Sequence, residues 1–315
     1  MQNRREFLKN TGLVTGLMLL PSSELFAQNI SDKTKKITIL HTNDQHSRIE
    51  PFEISTNTQT SNKGGFARRA TLVQKIRTQE SNVILLDAGD IFQGTPYFNF
   101  FGGELEFKLM SMMRYDAATM GNHDFDNGLE GFKKQLPHAQ FDFVCSNYDF
   151  SNTILNGLTK RYKVIVKDSI RIGIFGVGIE PKGLISEHLY KETKYLDPIE
   201  ISQEMTQKLR GEEKCDLVIC LSHLGYEYKD EPTKISDVQF AQKTSDIDLI
   251  IGGHTHTFLT EPQMFKNKLG KEVIVNQVGW AGLYLGRIDF YFEKGKKSNY
   301  VTYKLESGVI DEKLG

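Results

Sequence analysis

The chain has 315 residues, 39% hydrophobic and 25% charged, with Lys+Arg 39 against Asp+Glu 40 and a formal net charge of -1. That length supports one large domain or two modest ones, and the charge balance argues against nonspecific binding to nucleic acid or to an anionic membrane. Cys145, Cys215 and Cys220 sit in apolar, strand-like runs and read as buried thiols. They do not make a disulfide framework, although one disulfide stays open for an exported protein.

The first stretch, "NRREFLKNTGLVTGLMLLP", carries Arg4 and Arg5, then Phe7, Leu8 and Lys9, then an apolar run to Leu20. It resembles a twin-arginine export signal. The run is shorter than the roughly 20 residues a spanning helix needs, and "LFAQN" offers cleavage after Ala27. No cysteine follows, which argues against a lipoprotein anchor. Residues 1–27 are therefore set apart as a signal peptide. The expected location is the periplasm or beyond, with no integral membrane segment once the signal is removed.

Residues 36–44 ("KITILHTND") form a β-branched strand with a polar end, and 64–79 a helix by its apolar spacing. The segment 83–90 ("VILLDAGD") is a second such strand, 103–114 is helical, and 116–124 ("DAATMGNHD") repeats the strand-then-polar pattern. A short helix over "LEGFKKQLPHA" and a strand at 141–147 follow. Residues 162–178 read as a hairpin turning near Asp168-Ser169. Helix is expected over 198–213, then strands at 216–225 and 248–257 with a helical stretch between them. "EVIVNQVG", "LGRIDFYFEK" and "NYVTYKLES" close the chain as strands. The alternation implies an α/β layered fold, and the consecutive terminal strands imply a second sheet packed on the first.

Five strand ends carry metal-capable groups: Asp44 and His46, Asp90, Asn122 and His123, His223, and His254 with His256. A lone histidine after a strand is usually a packed or solvated residue, but five such ends in series have a common need. Two divalent cations about 3.5–4 Å apart require a bridging carboxylate and several N/O ligands. The absence of cysteine ligands argues against a structural zinc cage. In Asp44-Gln45-His46 and His254-Thr255-His256 the two ligands point the same way if the backbone stays extended. Gly121, Gly252 and Gly253 permit tight turns and close approach.

In this order, D-x-H, G-D, G-N-H-D, H and G-H-x-H resemble the calcineurin-like metallophosphoesterases. "LHTNDQH", "DAGDIFQGTP", "GNHDFDNG" and "GGHTH" look like its 5′-nucleotidase branch, over roughly residues 37–290. The resemblance implies two β-sheets packed together and flanked by helices (α/β/β/α). It places Asp44, His46 and His256 on a first metal, Asn122, His223 and His254 on a second, and Asp90 between them. His123 would face the substrate phosphate, oriented by Asp126, with Asp124 structural. The implied reaction is attack of a metal-bound hydroxide on phosphorus, with Mn, Zn, Fe or Co as the pair.

Arg68 and Arg69 are long enough to reach a phosphate, but an exposed helix face is the expected role. Trp280 is assigned either to the pocket rim or to the core, and His41 to packing. Typical members carry a C-terminal nucleoside-binding domain. This chain ends at Gly315, so residues 28–315 are expected to be a catalytic domain alone, with that domain absent or supplied by a separate chain. The expected substrate is a nucleotide or another phosphate ester, not a nucleic acid polymer. Competing enzyme readings are a 2′,3′-cyclic phosphodiesterase, a UDP-sugar or dinucleotide pyrophosphatase, and a thiosulfohydrolase-like enzyme. From a different class comes a non-catalytic metal-binding subunit that requires a partner.

Overall fold

The computed structural model describes residues 34–293 and 296–306, so the signal expected over 1–27 lies outside the described residues. Fourteen strands are described. They are β1 (Thr34–Thr42), β2 (Val83–Asp87), β3 (Ala117–Ala118), β4 (Asp142–Phe143), β5 (Tyr148–Asp149), β6 (Tyr162–Lys167), β7 (Ile170–Gly178), β8 (Lys194–Tyr195), β9 (Leu217–His223), β10 (Leu249–Ile251), β11 (Gln263–Lys266), β12 (Glu272–Asn276), β13 (Tyr284–Glu293) and β14 (Lys296–Glu306). The helices are α1 (Phe66–Gln79), α2 (Pro96–Phe101), α3 (Glu104–Met112), α4 (Gly128–Gln135), α5 (Glu187–Tyr190), α6 (Pro198–Thr206) and α7 (Asp237–Lys243).

Two six-stranded sheets carry the fold, in the orders β14-β13-β1-β2-β3-β4 and β11-β12-β10-β9-β7-β6. Side chains alternate across each strand, and the sequence uses that alternation. Ile37, Ile39, Ile84 and Leu86 of the first sheet meet Ile172, Ile174, Leu217, Ile219 and Leu249 of the second in one inter-sheet core. The opposite faces are covered by helices: Leu40 and Leu85 pack beneath α1, α3 and α4, and Val218 and Cys220 beneath α6 and α7. This is the layered α/β/β/α arrangement expected from the sequence.

Local signals explain the element ends. The helix α1 follows Gly64 and Gly65, both at positive φ, and buries Phe66, Leu72, Val73 and Ile76 at helical spacing. Each such side chain stabilises the fold by about 1.5–3 kcal/mol. Asp197 caps α6 by accepting the amides of Ile199 and Glu200. The β6–β7 hairpin turns through Asp168 (φ 48) and Ser169 (φ 66), as the sequence predicts. All three cysteines are free and buried.

Three expectations are corrected. The second sheet is real, but β13 and β14 belong to the first, because β13 pairs antiparallel with β1 from Thr34↔Glu293 to His41↔Gly286 and buries Ile288, Phe290 and Phe292 between the sheets. The strand expected over 116–124 is only two residues long, since the chain leaves the ladder after Ala118 to form the site loop. Helix α6 ends at Thr206 and continues as a π-helical segment over Gln207–Glu212. The helix α2 and strand β11 were not anticipated from the sequence.

Candidate metal centre

The loops that follow β1, β2 and β3 in the first sheet and β9 and β10 in the second converge at one end of the sandwich, where open α/β sheets place ligands. They bring together Asp44, His46, Asp90, Asn122, His123, His223, His254 and His256. Asp44, His46 and His256 form one group able to hold a cation, and Asp90, His223 and His254 a second.

The loops that carry these groups are not extended. Asp44 (φ 50), His46 (φ 48), Asp90 (φ 55), His254 (φ 73) and His256 (φ 52) all lie in the left-handed region. Each such non-glycine residue costs on the order of 1 kcal/mol or more and persists where the surroundings over-determine it. Asp44 and His46 therefore converge by repeated left-handed turns rather than by strand alternation. Backbone bonds splice their loop to its neighbour: Asp44 donates to the Gly89 carbonyl at 2.9 Å and His46 to that of Asp90 at 3.0 Å.

Asp44 and Asp90 sit between the two groups. Asp44 Oδ1 is 3.4 Å from His256 Nε2, 3.9 Å from His46 Nε2 and 4.0 Å from His223 Nε2. Asp90 Oδ2 is 3.1 Å from His223 Nε2 and 3.9 Å from His46 Nε2. Asn122 Oδ1 and His254 Nδ1 are 2.7 Å apart, and the Nε2 atoms of His46 and His256 are 2.8 Å apart. Each pair is a hydrogen bond if a proton lies between the atoms, or two lone pairs on a shared cation if none does.

The surrounding groups aim these atoms. His223 Nδ1 donates to the Ala88 carbonyl at 2.7 Å and His46 Nδ1 to that of Gln93 at 3.2 Å, which turns both Nε2 atoms inward. Asn43 Nδ2 donates to Asp44 Oδ2 at 2.6 Å. Asp124 accepts four amides: Gly121 at 2.8 Å, Asp90 and Ile91 at 3.0 Å, and Phe92 at 3.2 Å. It thereby ties the Asp90 loop to the Asn122 loop. Burial and the Asp90 charge push its pKa up, yet only the carboxylate suits four donors, because a protonated oxygen would face an amide hydrogen. Gly121 is required at the crossing. A Cβ there would clash with Asp90 Oδ1 and lie 2.5 Å from Asp90 N and 2.6 Å from His223 Cε1.

The donor set fits divalent metal ions. Asp44 and Asp90 are 0% and 1% exposed, and among the described residues their ion-pair partners are all histidines. Buried carboxylates need a positive partner. His223 Nε2 is buried, and despite its 3.1 Å approach to Asp90 it lies off the line of a hydrogen bond and has no such partner. Burial would lower the His223 pKa, but Asp90 and Asp44 outweigh it and hold it up to about 10. His254 goes the other way, lowered to about 4 by burial and by His223.

His123 belongs to neither group, although its ring lies edge-on to that of His46 at 5.2 Å. Its Nδ1 donates to Asp126 Oδ2 at 2.9 Å, and its backbone amide donates to Asp90 Oδ1 at 2.8 Å. The side chains of His123, Asp126 and His256 are 37%, 29% and 39% exposed, so the open mouth of the centre lies on their side. The Asp126 hydrogen bond, opposed by burial, raises the His123 pKa.

Sequence reading missed several residues that shape the centre. Arg69 is buried, not on an exposed face: it bonds Gln45 Oε1 and lies 4.2 Å over the Phe66 ring. Gln45 in turn donates to Asp87 Oδ2 at 2.9 Å, so the Asp44–His46 loop stands on a buried polar network. Arg68 stays on the surface and bonds Asn62. Trp280 stacks on His256 at 5.6 Å and 9°, with Phe52 edge-on to it at 5.8 Å. His41 is packed, bonded to Asn276 at 2.8 Å.

With that geometry in place, the comparisons with known proteins agree on the class. The calcineurin-like phosphoesterase family matches residues 37–258, and the chain belongs to that family. Within it, the chain is 35% identical over 301 residues to a snake venom 5′-nucleotidase of Crotalus adamanteus, covering 88% of this chain and 49% of that protein. It is 34% identical over 289 residues to a 5′-nucleotidase of Homo sapiens, covering 82% and 47%. The crystal structure of a 5′-nucleotidase precursor from Thermus thermophilus superposes with a TM-score of 0.78 at 33% identity, covering 86% of this chain and 54% of that one. The chain thus spans about half the length of the curated relatives it matches. No helix among the described residues is long and apolar enough to cross a membrane.

Proposed function

We propose that the protein is an exported dinuclear-metal phosphohydrolase of the 5′-nucleotidase type that cleaves nucleotide phosphate esters. The carrying observation is that two metal-capable groups lie side by side, each with one buried carboxylate, Asp44 or Asp90, that comes within 4.0 Å of a histidine of the other group, with the His123–Asp126 pair at their mouth. The relatives named above support nucleotides as the substrate class, and the Arg4-Arg5 pattern supports export by the twin-arginine route.

In this reading Asp44, His46 and His256 would hold one cation and Asn122, His223 and His254 the other, with Asp90 available to both. Two divalent cations supply Lewis acidity and a lowered water pKa at such a centre. The neutral Asn122 keeps the net charge of the site less negative, which favours an anionic phosphate. His123 holds a proton at Nε2, in line to stabilise the phosphoryl oxygens or to protonate the leaving oxygen. Asp126 fixes the ring by accepting the Nδ1–H hydrogen bond.

The test is phosphate release from 5′-AMP by the full chain supplied with Mn2+, beside a His123→Ala variant. The expected result is rapid release by the parent and a loss of about a hundredfold or more in the variant. Two bound metals without release from 5′-AMP would refute the nucleotide assignment for the chain alone. A panel of 2′,3′-cyclic nucleotide, UDP-sugar, dinucleotide and thiosulfate substrates would then locate the activity.

A further inference from the structure

One histidine of the centre is held differently from the others. His46 and His223 donate Nδ1 to the Gln93 and Ala88 carbonyls at 3.2 Å and 2.7 Å, and His123 donates its own to Asp126 at 2.9 Å. His256 has no hydrogen bond at Nδ1 among the described residues. Its Nε2 faces inward, 3.4 Å from Asp44 Oδ1 and 2.8 Å from His46 Nε2, yet its side chain is 39% exposed. A half-exposed ring with no acceptor is free to change rotamer. What lies against it is the indole of Trp280, 5.6 Å between centroids and 9° between planes.

The segment that carries Trp280, between β12 and β13, is tied to both loops of the first group. Gln277 brackets the His254–His256 loop, its Nε2 donating to the Gly253 carbonyl at 2.6 Å and its Oε1 accepting the Thr257 amide. On the other side Val278 donates its amide to Asn43 Oδ1 at 3.0 Å, Asn43 Nδ2 donates to the Gly279 carbonyl at 2.6 Å, and Ala281 donates its amide to the Asp44 carbonyl at 2.7 Å. Gly279 (φ 80), Ala281 (φ 56) and Gly282 (φ 61) turn the backbone tightly around the indole, and a Cβ on Gly282 would run into the Arg69 guanidinium. Phe52 lies edge-on to Trp280 at 5.8 Å, and the Arg48 guanidinium stands 4.1 Å over the Phe52 ring. Contacts of these kinds are attractive at such separations, so the indole is held from several sides.

We infer that Trp280 is a positioning residue for His256 and, through it, for the first metal-capable group. Resting on the dinuclear-metal reading above, this role deepens it by making the two groups unequal. The second group has His223 fixed by a carbonyl and wholly buried. The first depends on a half-exposed histidine whose ring is kept in place by stacking. Removing the indole frees that ring, and the first group loses affinity for a divalent cation while the second keeps its own.

The test strips the full chain of metal and titrates it with Mn2+ while electron paramagnetic resonance follows the free ion, so it does not depend on turnover. The wild type should take up two Mn2+. Trp280→Ala should bind one of them about 10–100-fold more weakly and keep the other. Trp280→Phe, which leaves a ring against His256, should recover most of that loss. In a His256→Ala background, Trp280→Ala should change binding of the remaining Mn2+ by less than about twofold, since both changes act through one side chain. Unchanged binding in Trp280→Ala, an equal loss at both groups, no recovery in Trp280→Phe, or a further loss in the His256→Ala background overturns the role. A wild type that takes up fewer than two Mn2+ removes the dinuclear reading itself, and the role falls with it. Phosphate release from 5′-AMP, run on the same wild-type preparation, reports separately on the substrate assignment.

Discussion

Replacing Asp124 with asparagine changes one atom at the crossing of the Asp90 and Asn122 loops. The carboxylate accepts Ile91 N and Phe92 N on Oδ1, and Asp90 N and Gly121 N on Oδ2. Asparagine offers a single oxygen. Whichever way the amide is turned, two buried N–H groups face its NH2 and lose their acceptor. Each unsatisfied buried donor costs about 1–3 kcal/mol, so the variant should lose about 2–6 kcal/mol. That is a large share of the ~5–15 kcal/mol typical of a folded domain. The assay is urea unfolding of the metal-free proteins at pH 7.5, followed by Mn content after dialysis. The variant's midpoint should fall and its second metal should be held weakly, because Asp90 and Asn122 are no longer held in register. A stability loss under about 1 kcal/mol with two metals retained would refute the argument that Asp124 splices the loops.

Four further outcomes are expected. Gly121→Ala should lower Mn content and cost at least ~1–3 kcal/mol, as an added Cβ meets Asp90 and His223; atomic absorption with thermal melts checks both. Asp126→Asn should reduce kcat at least about tenfold and move the alkaline limb of the pH–rate profile to lower pH, since Asp126 raises the His123 pKa; an unmoved limb would separate the pair from proton transfer. Chelation should lower the melting temperature, with Mn2+ at 100 Kd restoring about 2.7 kcal/mol. The last concerns His41, whose pKa burial lowers to about 3. The unfolded chain protonates this ring below about pH 6.5 and the folded chain does not. The associated stability is therefore present above pH 6.5 and lost as pH falls toward 3, by about 2 kcal/mol between pH 7 and pH 5. Denaturant titrations should show a wild-type slope steeper than that of His41→Gln by this amount, since His254 and other buried groups add a slope common to both.

Much of the centre was legible because its chemistry is local in sequence. Asp44, Asp90, Asn122 and His254 each follow a strand within a few residues and His223 ends one, and parallel strands carry such ends to one side. The layered fold was legible from strand–helix alternation for the same reason. Sheet membership was not, because an antiparallel β13 pairs with the distant β1 through contacts that periodicity does not encode. Arg69 was misread because a helical wheel shows which face is buried only through apolar residues, while its guanidinium is buried by a partner, Gln45, from another loop. The left-handed backbone at Asp44 and His46 was also invisible, since neither is the glycine that usually announces it. Trp280 had two readings in sequence, and only its stacking on His256 places it at the centre's edge.

The central claim is that these loops hold two cations side by side. The most direct measurement is anomalous diffraction at the manganese edge from crystals of the full chain grown with Mn2+. Two peaks about 3.5–4 Å apart are expected, one against Asp44, His46 and His256, the other against Asn122, His223 and His254, with Asp90 touching both. A single peak, or peaks away from these residues, would contradict the account.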